Sequence, residues 1–176
     1  MDDYKQGQTA YKRILLTMPY YYRRKKKKPK SDDSAPKKRV KKPVNLVAKL
    51  DREFALYIRL RDAMPSGLFR CISCGQIKPF EQSDCGHYHS RTHMATRWNE
   101  ANCNAECHYC NRFSADHLIG YRENLIRKIG QSRFDLLQVM ARSSRKWSDF
   151  ELKLMIEHYH REVVRLSIQK GIKVKF

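Results

Sequence analysis

From Leu46 onward, apolar and charged positions alternate at the spacing of a helix. Leu46, Leu50, Phe54, Tyr57, Ile58 and Arg61 fall on one side, and charges fill the other. Met64-Pro65-Ser66-Gly67 ends this helix, because proline and glycine both break the ladder. Leu118, Tyr121, Leu125, Ile126 and Ile129 predict a second amphipathic helix closed by Gly130, and Phe134, Leu137 and Met140 a third. Ser148-Asp149-Phe150-Glu151 has the form of a capping box, with Trp147 and Leu152 placed as a hydrophobic staple. The helix it opens is expected to run to about Ser167, with Leu152, Met155, Ile156, Tyr159, Val163 and Leu166 inward. Leu68 to Asn111 carries no long period. It reads as short elements rich in Cys, His, Asn and Arg, with no internal repeat anywhere in the chain.

Composition then bounds what such elements can be. A chain of 176 residues with 41% hydrophobic and 11% aromatic side chains supports one modest core and excludes a wholly disordered protein. No stretch approaches the ~20 apolar residues of a membrane span, so no membrane partner is expected. Met1-Asp2-Asp3 does not open a secretory signal, so the six cysteines are expected as metal ligands or free thiols and not as disulfides. The net charge of +19 makes a polyanion the default partner, nucleic acid first. Much of it lies between Arg23 and Lys42, where twelve Lys and Arg face two Asp. That window is expected to be a disordered basic arm laid along phosphates, with Lys25, Lys26, Lys27, Lys28, Lys37, Lys38 and Arg39 as its contacts. The expected organisation is an arm over 1–43, a helical segment over 44–67, a cysteine-rich core over 68–130 and a helical region over 131–176.

Cys71-x-x-Cys74 and Cys107-x-x-Cys110 are two C-x-x-C pairs. Such a turn brings two thiolates to one ion, and two turns complete a tetrahedral shell for a structural Zn²⁺. Gly75 follows the second ligand, where a knuckle needs positive φ. The 32 residues between the pairs leave room for a hairpin. Zinc binding here would supply folding energy to a segment poor in apolar residues. Cys85 and Cys103 are expected to be two partly buried thiols, in preference to a second metal site.

Between the knuckles lie Asp84-x-Gly86-His87-Tyr88, then Arg97-Trp98-Asn99-Glu100 and Asn102, and Asn111 follows the last cysteine. A histidine, an asparagine and a third polar residue on a zinc-held frame form the layout of HNH, or ββα-metal, nucleases. The chemistry is coherent: a neutral histidine takes a proton from water, and Mg²⁺ or Mn²⁺ on oxygen ligands offsets charge on a phosphodiester. Together with Tyr121-Arg122, these motifs resemble the NinG (Rap) recombination proteins of lambdoid phages, over roughly Leu46 to Tyr159.

The resemblance implies an α+β fold, with a zinc-knuckle treble-clef (ββα-metal/HNH-like) core flanked by α-helices. It implies a metal-dependent endonuclease for branched DNA such as Holliday junctions, encoded by a phage or prophage and working in the bacterial cytoplasm. Cys71, Cys74, Cys107 and Cys110 would hold zinc. His87 would be the general base and Asn102 the central asparagine of the catalytic motif. Asp84 and Asn111 would hold the catalytic metal. Gly86 stands where many HNH enzymes carry an acidic or histidine ligand, so His89 or His93 is an alternative to Asp84. Asp116 and His117 either cap the following helix or approach the metal. Arg91, Arg97 and Arg112 are expected around the phosphate, and Trp98 in the core. Symmetric junction cutting would need a homodimer. The alternative reading is a non-catalytic zinc module that binds nucleic acid through its charge.

Overall fold

The computed structural model describes residues 44–175, so the basic arm and its seven assigned contacts lie outside the described residues. The first helix, α1 (Leu46–Asp62), starts where Asn45 accepts a hydrogen bond from Ala48 N at 3.0 Å. Leu50, Phe54, Tyr57, Ile58 and Leu60 of α1 are buried. Leu60 falls off the expected stripe because α1 is covered twice, by the C-terminal helix and by a β-hairpin, and its buried arc is correspondingly wide.

Two hairpins follow. Strand β1 (Leu68–Arg70) pairs antiparallel with β2 (Ile77–Pro79), and the first C-x-x-C forms the turn between them. A 3₁₀ turn at Phe80–Gln82 leads into β3 (Ser83–His87), which pairs antiparallel with β4 (Cys103–Cys107). The register sets Asp84 opposite Glu106 and His87 opposite Cys103. Since side chains alternate along a strand, Cys85, His87, Cys103 and Ala105 share one face, and Asp84, Gly86, Asn104 and Glu106 the other.

Helices α2 (His108–Phe113), α3 (His117–Ile129), α4 (Gln131–Arg142) and α5 (Asp149–Lys170) complete the α+β chain. Gly130 closes α3 at φ 81°, and Tyr121, Leu125, Phe134 and Leu137 form a small core between α3 and α4. The Ser148–Glu151 capping box is present, and Trp147 and Leu152 both join the main core. In that core α5 lies against α1 through Leu152, Ile156, Tyr159, Val163 and Leu166, with Trp98 also buried in it. The apolar stripe of α5 is therefore filled within its own chain.

Helix α5 runs past Ser167 to Lys170, and the added turn has a use. Lys170 Nζ donates to the carbonyls of Leu60, Arg61 and Ala63 at 2.7, 3.0 and 2.6 Å, placing an ammonium at the C-terminal end of α1. Gly171 then turns the chain in the left-handed conformation, and Ile172 is buried. Among the described residues, no helix is long and apolar enough to cross a membrane.

Asp62, at the end of α1, fastens three elements. Its carboxylate accepts from Ala105 N of β4 at 2.9 Å, from Lys128 Nζ of α3 at 2.9 Å and from both arms of the Arg61 fork. Burial pushes the Asp62 carboxyl up, but Arg61, Lys128 and the Ala105 N–H outweigh it and hold it below the usual carboxylate value. A depressed folded-state pKa contributes stability above the unfolded pKa and loses it as pH falls through the folded value. Asp62→Asn is therefore expected to cost about 1–3 kcal/mol at neutral pH. The difference from wild type should shrink below about pH 4. Urea unfolding across a pH series measures this, and a difference that stays constant into acid would refute it.

Candidate functional site

The four cysteines of the C-x-x-C pairs meet between the hairpins. Cys71 and Cys74 stand in the β1–β2 turn, and Cys107 and Cys110 at the junction of β4 with α2. Their sulfurs all lie within 4.8 Å of one another. Gly75 takes φ 71° and donates its N–H to Cys71 O at 2.9 Å, which closes the knuckle. Cys107 N–H donates to Cys71 Sγ at 3.3 Å, the kind of bond that supports a thiolate. Burial pushes the Cys71 thiol up to about 11, a cost that a bound cation removes by taking the charge. This cluster can hold a metal such as zinc.

Beside it a cavity of about 530 Å³ opens between α1, β3 and α2, lined by Asp51, Asp84, His87, Arg91, Asn111 and Arg112 among others. Five of those six are residues that the sequence singles out. Asp84 Oδ2 accepts from Asn111 Nδ2 at 3.1 Å and from Arg112 Nε at 2.7 Å, while Oδ1 accepts from Arg112 Nη2 at 2.8 Å. Burial raises the Asp84 carboxyl, but Arg112 and Asn111 outweigh it and hold it below the ordinary value, so it is ionised near neutrality. A carboxylate and an amide on adjoining elements make the oxygen-donor set that a hard divalent cation prefers.

His87 reaches the same cavity from the end of β3. Its Nδ1 lies 3.2 Å from Cys85 O and its Nε2 3.1 Å from Arg97 O. Burial pushes its pKa down, which favours the neutral ring. On the shared face of the hairpin, donor atoms of Cys85, His87 and Cys103 also fall within 4.8 Å of one another.

Two assigned residues work differently from expectation. Asn102 is fully buried and never reaches the cavity. It accepts from His89 N at 2.8 Å and donates to His89 O and Thr96 O, so it staples the loop between β3 and β4 and positions what that loop carries. Arg97, expected on phosphate, has its guanidinium spent on Asp51 at 3.0 and 2.6 Å and on Arg91 O at 3.0 Å. Its side chain is only 18% exposed. It braces the cavity wall, whereas Arg91 and Arg112 are exposed beside it.

The alternative ligands lie elsewhere. His89 and His93 meet edge to face, and His93 Nδ1 sits 2.9 Å from Ala141 O of α4. Asp116 makes no capping bond with its side chain. His117 Nδ1 lies 2.7 Å from Oε1 of Glu106, a wholly buried carboxylate that also accepts from Ser73 Oγ at 2.5 Å. Glu106 explains the glycine before His87: a Cβ at Gly86 would collide with Glu106 Oε2. That position has no room for a ligand side chain.

Sequence reasoning missed Asp51, Glu106 and His108, whose Nδ1 lies 3.1 Å from Asp84 Oδ1. His108 carries a signal, since it sits inside the second C-x-x-C. Asp51 and Glu106 carry none: Asp51 is one acid among the charges of a helix, and Glu106 is a single acid in no motif of its own.

A cysteine cluster able to hold metal, set against a polar cavity on an α+β frame, gives the class of the protein. The sequence model described as Bacteriophage Lambda NinG protein matches residues 3–168, and the chain belongs to that NinG family. Protein ninG of Escherichia phage lambda is 34% identical over 96 residues, which cover 53% of this chain and 45% of that protein. Protein ninG of Salmonella phage P22 is 33% identical over 96 residues with the same coverage, and that of Escherichia phage 933W 32% over 96 residues, 53% of this chain and 46% of the relative. The matched stretch thus spans less than half the length of these relatives. No solved structure matches the chain.

Cys110→Ala is expected to remove the ion from the four-cysteine cluster and to melt the paired hairpins, because binding energy there is folding energy. Zinc content by elemental analysis, read beside thermal unfolding with and without a strong chelator, tests this. A variant with unchanged zinc and unchanged melting would defeat the assignment.

Proposed function

We propose that this protein is a metal-dependent DNA endonuclease of the HNH type, built on a treble-clef frame and directed to branched DNA such as Holliday junctions. The observation that carries the reading is the meeting of Asp84 with Asn111 in a cavity that His87 also lines, directly beside the cysteine cluster. A pure binding module has no use for a carboxylate, an amide and an imidazole converging in that way. Asp84 and Asn111 are the residues that would hold Mg²⁺ or Mn²⁺. Such an ion offsets charge on the phosphate and the leaving oxygen.

The chain's own residues do the rest. His87, kept neutral by burial, accepts the proton of the attacking water once its ring releases one of its two carbonyl contacts. Arg112, 55% exposed, is free to turn from Asp84 to a phosphate oxygen when the carboxylate is engaged elsewhere. Arg91 offers a second cation on the same wall. Asn102 holds the loop behind His87, and the bracing of Arg97 by Asp51 keeps that loop against α1. The basic arm adds sequence-independent phosphate contacts. Two copies would be needed to cut a four-way junction symmetrically, and the bacterial cytoplasm is where such DNA would be met.

The competing reading is a zinc module that binds nucleic acid without cutting it. It draws on one observation, that both ring nitrogens of His87 are turned to main-chain carbonyls.

A cleavage assay on a labelled four-way junction and a matched linear duplex, in Mg²⁺ or Mn²⁺, separates the two. Wild type is expected to cut the junction. Asp84→Ala and His87→Ala should each lose about 10²-fold or more of the rate while binding within a few-fold of wild type. Binding without cutting in any metal would favour the module. Deleting residues 1–43 should weaken binding to every DNA and reduce the salt slope by up to ~0.9 for each phosphate that the arm neutralises. An unchanged slope would take the arm off the DNA.

A further inference from the structure

We propose that Cys85, His87 and Cys103 form a second metal site, selective for a soft ion of the zinc type, which holds the His87 imidazole out of use. The effect on cleavage rests on the nuclease reading, but the site itself does not.

Two thiol sulfurs and one imidazole nitrogen lie within 4.8 Å of one another. All three come from the same face of the β3–β4 hairpin, so ladder pairing and not a mobile loop sets their spacing. A Cys₂His set is the ligand type of zinc and its congeners, whereas the Asp84–Asn111 pair offers only oxygen. Two neighbouring sites thus sort ions by hardness.

Lone-pair accounting at His87 supplies an independent reason. A neutral imidazole carries one N–H, yet both nitrogens face carbonyl oxygens, at 3.2 Å on Cys85 and 3.1 Å on Arg97. One of them therefore points a lone pair at another lone pair. On the Nε2 side the same Arg97 oxygen lies 3.7 Å from Cys103 Sγ, so sulfur, nitrogen and oxygen converge on one spot. A cation there turns that repulsion into ligation, with Nδ1–H left to donate to Cys85 O. Asn102 Nδ2 lies 3.8 Å from Cys103 Sγ, a donor placed to steady a thiolate. Cys103 is completely buried, but Cys85 and His87 line the open cavity, which is the route for exchange. Three protein ligands leave a fourth position for the Arg97 carbonyl or for water, so this ion would be held less firmly than one in the closed four-cysteine cluster.

Full-length protein carrying one zinc per chain is titrated with Co²⁺. Wild type is expected to take up one further equivalent and to develop a thiolate-to-cobalt charge-transfer band with tetrahedral visible bands. Cys85→Ser should lose the band while keeping its single zinc, which also reports that it folds. His87→Ala should weaken uptake without abolishing the thiolate band. No thiolate band in wild type, or an unchanged band in Cys85→Ser, would overturn the site. In the junction assay, added zinc should slow Mg²⁺-supported cleavage by wild type at least about tenfold, with the ~10²–10⁴-fold that a general base contributes as the ceiling. Cys85→Ser should resist this inhibition. A band without any cleavage would leave the site standing and sink the nuclease reading. Cleavage without a band would do the reverse.

Discussion

The architecture depends on four sulfur atoms meeting at one point. Strands β1 and β2 have three residues each, and β3 and β4 five, too few to hold two hairpins together by ladder bonds alone. The apolar cluster around the knuckles consists of Phe69, Ala105 and three of the cysteines themselves. A segment with so little to bury needs another source of cohesion, and a shared cation on thiolates is the one its residues can supply. The cavity follows from that junction, because Cys107 ends β4 and Cys110 lies in α2, and Asn111 and Arg112 come next in the chain. Whatever fixes the cysteines also fixes the distance from Asn111 to Asp84.

The second constraint is Glu106. A carboxylate with no exposure, bonded to Ser73 and His117, ties the first knuckle to the start of α3 across the hairpin face that carries Asp84, Gly86 and Asn104. It also excludes any side chain from residue 86. His87 therefore follows a glycine for a packing reason, and the carboxylate that completes the cavity sits three residues upstream, at Asp84.

How much of this is legible in the sequence follows the length of the periodic signal. Helices α1, α3, α4 and α5 repeat their apolar positions over several turns, and Gly130 and Ser148–Glu151 mark their ends in residue types that have a local mechanism. The cysteine cluster is equally legible, since C-x-x-C is read from spacing alone. What the sequence hides is set by tertiary neighbours. Arg97 reads as a phosphate contact because nothing nearby in the chain announces Asp51, 46 residues away. Asn102 reads as a member of the catalytic set because its amide is of the right type, yet the loop backbone consumes it. Helix α5 outruns its apolar stripe because Lys170 answers carbonyls more than a hundred residues upstream. Cys85 and Cys103 read as separate thiols because only the β3–β4 register brings Cys103 to Cys85 and His87.

That reach from Lys170 to Leu60 spans 110 residues and sets an order of events during synthesis. The four cysteines lie between residues 71 and 110, so their cluster can close while the C-terminal helix is still being made. The side of α1 that faces the β3–β4 hairpin can pack as soon as those strands are made, but the side that faces α5, and the Arg61 and Ala63 carbonyls that Lys170 answers, must wait until α5 has left the ribosome. Helix α1 is thus secured in two stages, and the newborn chain carries its α5-facing side uncovered until the C-terminal helix arrives.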